Sequence, residues 1–143
     1  MKLAILGAGG FLGKYLVNRL RNSHTVIPVT RQTVDLSDYA AVDTWLDRED
    51  PDVIINCVIS GGGRYVDDIN YSDVQRDLTI FLNFYNNSKI KRYINIGSGA
   101  EFDRRTNIDS ADESLIMQSR PLESYGFTKN TIARMILNRE NFY

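Results

Sequence analysis

A single cysteine, Cys57, leaves the chain without the means to form an internal disulfide. The sequence also passes from Lys2 straight into a strand-like segment, with no charged and apolar leader ahead of it. Together these features predict a reduced, cytoplasmic protein. Neither sign of charge dominates: 17 Lys and Arg stand against 18 Asp and Glu. That balance excludes the global field that would draw nucleic acid or an anionic membrane surface. No apolar run approaches the roughly 18 residues a membrane span needs. Internal repeats, linkers and low-complexity tracts are absent as well. The 143 residues therefore read as one domain, 1–143, long enough to bury a core and too short for two.

What the chain does have is concentrated at its start. Lys2-Leu3-Ala4-Ile5-Leu6 is an apolar run of strand length, and it leads directly into glycines three apart at Gly7, Gly10 and Gly13. An amphipathic pattern follows at once, with Phe11, Leu12, Tyr15, Leu16, Val17 and Leu20 at helical spacing. Strand, tight turn and helix in that order suit a dinucleotide. Gly7 ends the strand in a turn, Gly10 admits a pyrophosphate close to the backbone, and Gly13 lets the helix lie on the sheet. The phosphates would sit on the N–H groups at the helix start, where the dipole favours an anion. A glycine-rich strand-to-helix turn that binds nothing would look the same in isolation.

Further along, Thr25-Val26-Ile27-Pro28-Val29-Thr30 reads as a second strand carrying a proline, tolerable where the missing donor faces outward. A short third strand is expected at Thr33-Val34-Asp35-Leu36. Ser37 or Asp38 then caps a helix through Ala41, Val42, Trp45 and Leu46, which Pro51 closes. Asp52 to Ile59 is a fourth strand, apolar as one buried on both faces should be. Ser60-Gly61-Gly62-Gly63 forms a loop. A long helix is expected from about Tyr71 to Ser88, with Val74, Leu78, Phe81, Leu82 and Tyr85 on one face. Arg92 to Gly97 is a fifth strand, and the polar stretch from Ser98 to about Leu122 is long enough to suggest an active-site loop. A last helix runs from about Ser124 to Arg139, and Asn141-Phe142-Tyr143 could open another strand. Strands alternating with helices predict an α/β fold with a doubly wound, mostly parallel sheet.

Chemically expressive residues fall where strands end, the usual ligand side of such sheets. They are the glycine turn, Thr30-Arg31 with Asp35-Leu36, Asn56-Cys57-Val58, and Gly97-Ser98. Tyr125 and Lys129 share one face of the last helix, four residues apart. That pair alone is unremarkable among eight tyrosines, so its position carries the weight. Taken singly, Ser98 could be a loop serine capping its own turn, and Tyr125 a half-buried aromatic at a helix start.

In this order the motifs resemble those of the extended short-chain dehydrogenase/reductases, the NAD-dependent epimerase/dehydratase family, over the whole chain. Gly7/Gly10/Gly13 is similar to its cofactor turn and Asp35-Leu36 to its adenine-contacting pair. Ile96-Gly97-Ser98-Gly99-Ala100-Glu101-Phe102 is similar to its serine-bearing strand end, and Tyr125-Gly126-Phe127-Thr128-Lys129 to its catalytic helix. The resemblance implies an NAD(P)-binding Rossmann fold. It makes Tyr125 the general acid/base, and Ser98 the ligand of the substrate oxygen. Lys129 would hold the nicotinamide ribose and stabilise the tyrosine's phenolate. The cofactor would lie against Gly7, Gly9, Gly10, Phe11, Leu12, Gly13, Arg31, Asp35, Leu36, Cys57, Val58 and Lys129, with no metal.

Where relatives that prefer NAD place an acid, this chain has Thr30-Arg31, and a guanidinium fork suits a 2′-phosphate, so NADP(H) is favoured over NAD(H). Arg31 stacking on adenine or pointing to solvent is the alternative. The run from Val29 to Asn56 and the pair Phe102-Asp103 resemble the branch that reduces dTDP-4-keto-6-deoxysugars, and Ser60 to Gly63 resembles GDP-fucose synthase. Both imply reduction of a nucleotide-linked sugar, with an NAD-dependent sugar-nucleotide epimerase or dehydratase and a non-catalytic dinucleotide-binding protein as alternatives. Asp77 stands where many relatives have Asn, and Cys57 reads as a small core residue rather than a catalytic thiol. Arg104 and Arg105 are within sequence reach of a sugar-nucleotide phosphate or simply lie in a solvated loop. Members of the family run to about twice this length, so the C-terminal substrate lobe is expected to be absent and the chain to bind cofactor without full turnover. The family's usual homodimer would use the long helix and the catalytic helix, with Phe81, Phe84, Tyr85, Ile132 and Ile136 as candidates.

Overall fold

The computed structural model describes residues 1–60, 70–103, 105, 109 and 111–143. The chain divides into two compact units. The first comprises Met1–Val58, Thr79–Ile96 and Asn141–Tyr143, the second Ile59–Leu78 and Gly97–Glu140.

The first unit is built on a four-stranded, all-parallel sheet of β1 (Lys2–Leu6), β2 (Thr25–Val29), β3 (Val53–Asn56) and β4 (Tyr93–Asn95), in the order β2-β1-β3-β4. β1 is central, pairing with β2 from Lys2 opposite Thr25 and with β3 from Leu3 opposite Val53. Period-two alternation gives it two apolar faces. Leu3 and Ile5, with Val53, pack against Leu16, Val17 and Leu20 of α1 (Phe11–Leu20). Ala4 and Leu6 point the other way and are fully buried. Pro28 lies on β2, an edge strand, where a lost ladder donor costs least.

α2 (Tyr39–Glu49) buries Val42, Trp45 and Leu46 and starts at Asp38, whose carboxylate accepts from the N–H groups of Ala40 at 2.8 Å and Ala41 at 3.3 Å. It ends at Asp50 in a left-handed conformation just before Pro51. α3 (Tyr71–Tyr85) begins in the second unit and ends in the first. Its buried side runs through Asp77, Ile80, Phe81 and Phe84, while Leu82 is exposed. Phe81 and Phe84 pack around Tyr93, and Phe142 stacks on Tyr93 with ring centroids 5.0 Å apart. The terminal segment extends the sheet: Phe142 bridges Tyr93 in parallel, and the N–H of Tyr93 donates to the Asn141 carbonyl at 2.8 Å.

The second unit holds the start of α3, 3-10 turns at Gly99–Glu101 and Glu113–Met117, and α4 (Ser124–Ile136).

Three expectations change. Residues 33–36 form no strand. The N–H groups of Thr33 and Val34 donate back to the Thr30 carbonyl, recoiling the chain into a turn, and Asp35 accepts from Ser37 instead of pairing along an edge. Leu82 leaves the core face of the long helix. Phe81, Phe84 and Ile132, offered for a subunit interface, are buried inside the chain itself. Gly61 to Gly63 and Arg104 lie outside the described residues.

Candidate functional site

The candidate residues fall into two groups, one in each unit.

In the first unit the chain runs out from β1 to β2, then back past β1 to β3, so the sheet changes direction between β1 and β3. Open α/β sheets form their ligand crevice at such a point, beyond the strand ends. Gly7 turns there with φ +74°, and a Cβ on it would sit 3.1 Å from the Cys57 carbonyl group and 3.2 Å from a Val58 methyl. The turn is closed by the Gly10 N–H donating to the Gly7 carbonyl at 2.9 Å and is tied to the sheet by Ala8 N–H on the Val29 carbonyl and Cys57 N–H on the Leu6 carbonyl. α1 starts from Gly10 with no side-chain cap and no acidic residue in its first turn. The initial N–H groups therefore meet no competing carboxylate, which is the arrangement an anion requires. Gly9 and Gly10 are exposed, Leu12 half-buried, and Phe11 stands 95% exposed at the helix mouth.

Asn56 shapes the neighbouring strand end. Its amide donates to Asn95 Oδ1 at 3.0 Å, while its own Oδ1 accepts from the Val58 N–H at 3.0 Å. Cys57 packs against the Leu3, Ile5 and Val53 cluster, in keeping with a small core residue.

Beyond β2, Thr30 and Thr33 close a turn on each other, with the Thr30 N–H donating to the Thr33 hydroxyl at 3.2 Å. This leaves Arg31 exposed at its tip. Asp35 accepts from the Ser37 hydroxyl at 2.6 Å and from its N–H at 2.9 Å, the hydroxyl bond doing most to hold this carboxyl below the usual range. Leu36 is buried, its carbonyl taken by the Asn83 amide at 2.9 Å.

In the second unit Ser98 opens the 3-10 turn as its N-cap, accepting from the Ala100 N–H at 3.2 Å. The capping role weighed for it is thus real, yet a hydroxyl that accepts one bond can still donate its proton to a ligand oxygen. Tyr125 is half-buried in the first turn of α4, and Lys129, one turn on, is only 3% exposed. α4 lies hard against the Ser98 turn because position 126 has no side chain. A Cβ there would meet the Ala100 carbonyl oxygen at 2.5 Å. Asn130 completes the attachment, its amide donating to the carbonyls of Glu101 at 2.8 Å and Ile116 at 3.1 Å.

Sequence reasoning passed over Asn95, Asn130 and Glu101. Glu101 carried a readable signal, since Ser98-x-x-Glu101 is a capping box. Its carboxylate accepts from the Ser98 N–H at 2.8 Å and is 8% exposed. Burial pushes this carboxyl up, against the Ser98 hydrogen bond and the Lys129 ammonium, which hold it down; Glu113 adds a smaller upward push. Asp77, the departure noted on the long helix, is also buried and accepts from the Ser60 N–H at 2.6 Å. Arg105 is engaged by Asp103, Nε to Oδ1 at 2.8 Å. A groove of about 520 Å³ beside Pro121, Phe127, Thr131 and Arg134 lies on the side of α4 turned away from Tyr125 and Lys129.

Comparison with known proteins follows the same lines. The profile of the NAD dependent epimerase/dehydratase family matches residues 3–143. A dTDP-4-keto-6-deoxy-D-glucose reductase of Streptomyces niveus is 25% identical over 94% of this chain and 46% of its own length. Among solved structures, a dTDP-4-dehydrorhamnose reductase from Clostridium acetobutylicum superposes with a TM-score of 0.76 at 24% identity, covering 100% of this chain and 51% of that one. A GDP-mannoheptose C4 reductase from Campylobacter jejuni, solved with NADP bound, gives 0.75 at 23% identity, covering 99% and 49%. The chain spans about half the length of these relatives.

Proposed function

We propose, from the premise that this chain belongs to the NAD dependent epimerase/dehydratase family, that it is the cofactor-binding part of an NADP(H)-dependent oxidoreductase acting on a nucleotide-linked sugar. The observation that carries the reading is the sheet reversal between β1 and β3, with Gly7 packed on Cys57 and Val58 and an uncapped α1 N-terminus free of acidic residues. Gly9, Gly10, Phe11, Leu12 and Gly13 would then line the pyrophosphate, and Asp35 and Leu36 the adenine. The Streptomyces relative and the NADP-bound heptose reductase support the substrate class and the cofactor.

Bound NADPH would supply a hydride to the sugar carbonyl carbon. Tyr125 would give its phenolic proton to the carbonyl oxygen as the charge develops there, with Ser98 donating a hydrogen bond to the same oxygen. The Lys129 ammonium would hold the ribose hydroxyls. Arg31, exposed at its turn, would take the 2′-phosphate.

Calorimetric titration of the purified chain with NADPH and NADH tests this. Arg31→Ala should weaken NADPH by about 10- to 100-fold, the worth of a charged hydrogen bond, and leave NADH within about threefold. Preference for NADH untouched by the substitution would move the reading to an epimerase or dehydratase of the same family. Binding of neither would remove the cofactor reading for this chain.

The same proposal places the protein in the cytoplasm, a reducing compartment compatible with Cys57, and as a homodimer. With Phe81, Phe84 and Ile132 internal, Tyr85 and Ile136, both partly exposed, are what remains of the residues expected at that interface. A monomer mass by light scattering would overturn that part.

A further inference from the structure

We propose that the groove along α4, on the side of the helix turned away from Tyr125 and Lys129, is a second ligand site, and that it takes a small phosphate monoester with an apolar body, its phosphate between Arg120 and Arg134. Both arginines belong to the second unit, and both line the groove. Their guanidinium groups converge on one atom. Arg120 Nη1 donates to the Ser119 carbonyl oxygen at 2.8 Å, and Arg134 Nη2 donates to the same oxygen at 2.6 Å. Arg120 Nη1 also reaches the Met117 carbonyl at 2.9 Å, which fixes its fork. The rest of their donors are unused among the described residues: Arg134 Nε is buried with no partner, and Arg134 Nη1 and Arg120 Nε and Nη2 donate to nothing. No acidic side chain lines the groove, and neither arginine forms an ion pair among the described residues.

Two cations held on one carbonyl oxygen repel each other. Burial, and after it the Arg120 charge, pushes the Arg134 guanidinium down from its ordinary value, yet an arginine keeps its proton at any pH near neutrality. Loss of a proton therefore does not relieve the repulsion, and a bound anion does. Planar guanidinium forks meet phosphate oxygens two at a time, so a phosphate seated between the two arginines uses donors that the protein leaves idle. The remaining lining sets the body of the ligand. Pro121, Leu122, Phe127 and Met135 are apolar, and Leu122 and Phe127 stand 54% and 46% exposed. The groove's volume of about 520 Å³ falls in the range of small-molecule sites. A free inorganic phosphate would leave those apolar surfaces in water, whereas a ring carried on the ester covers them.

The test titrates the full chain, labelled with 15N-arginine, with phenyl phosphate and separately with inorganic phosphate at constant ionic strength of about 0.15 M. The Arg134 Nε–H resonance is the reporter, identified by its loss in Arg134→Lys. Phenyl phosphate should shift it along a saturating curve, and Arg120→Gln, an exposed position, should weaken that binding by about tenfold, the lower end for a hydrogen bond to a charged group. Inorganic phosphate should bind about tenfold more weakly than the phenyl ester, and Phe127→Ala should bring the two affinities to within about threefold of each other. Arg31→Ala, a change in the other unit, should leave the phenyl phosphate affinity within about threefold of wild type. A shift that never saturates, or one that Arg120→Gln leaves unchanged, overturns the site. Phenyl phosphate no tighter than inorganic phosphate overturns the ligand class, and an affinity lost in Arg31→Ala but kept in Arg120→Gln places the ester in the cofactor crevice and overturns the second site.

Discussion

Gly13→Ala is expected to cost about 3 kcal/mol or more of folding stability, at or beyond the upper end of overpacking penalties, and to weaken NADPH binding by about tenfold or more. A Cβ at position 13 would stand 2.2 Å from the Gly7 carbonyl oxygen and 2.8 Å from both the Gly7 carbonyl carbon and the Ala8 Cα. All three atoms are backbone, so no side chain can rotate away. Either α1 lifts from the sheet, uncovering Leu3, Ile5 and Val53, or the Gly7 turn deforms. The second route disturbs the N–H groups proposed for the pyrophosphate, so stability and affinity should fall together. Gly9→Ala is the control, because a Cβ there meets nothing within 4 Å. Its stability should stay within about 0.5 kcal/mol of wild type, as for most surface changes. Denaturant unfolding of both variants decides, and a Gly13→Ala protein within about 1 kcal/mol of wild type would refute the close approach of α1 to the turn.

The glycine turn was legible because every requirement on it is local: an apolar strand, three glycines at fixed spacing and an immediate helix. The same holds for α2, whose Asp38 cap and Pro51 stop lie within a residue or two of the helix itself. Thr33 to Leu36 was misread for the opposite reason. Val34 and Leu36 alternate with polar residues as a strand would, but their conformation is settled by the Thr30 carbonyl and by Asn83, an amide on a helix 47 residues away. Leu82 fits the apolar period of α3, yet the helix is rotated so that Asp77, Ile80, Phe81 and Phe84 face inward. A buried carboxylate does not belong on an apolar face by composition alone; the Ser60 N–H and hydroxyl that donate to it, with the Arg76 guanidinium alongside, account for it. Residues named at the candidate site were read from their order along the chain. What joins them, Glu101, Gly126 and Asn130, acts across tertiary contacts that no spacing displays, apart from the capping box at Ser98.

Lys129→Met carries the largest consequence of that arrangement, and its signature is a dependence on pH. Removing the ammonium takes away an attraction that holds the buried Glu101 carboxyl down, and leaves the Ser98 N–H to act against burial and the repulsion of Glu113. Losing that attraction at a partly screened site is expected to cost about 2 kcal/mol above neutral pH. The carboxyl already titrates above its ordinary 4.5 because burial disfavours its charge, and without Lys129 it moves further up. An acid raised in the fold binds more protons folded than unfolded between its two pKa values. Its contribution to stability is therefore complete below the unfolded value and is lost as pH rises through the folded one. Lys129→Met should accordingly be most destabilised near pH 8 and recover to within about 1 kcal/mol of wild type as the pH falls toward 5. Adding Glu101→Gln to Lys129→Met removes that carboxyl's charge, so the double variant should be more stable than Lys129→Met alone at pH 8 and should lose its pH dependence. Urea unfolding at the two pH values measures both effects. An equal loss at pH 5 and pH 8, or a double variant no more stable than the single one, would show that the Lys129 charge does not act on the Glu101 carboxyl.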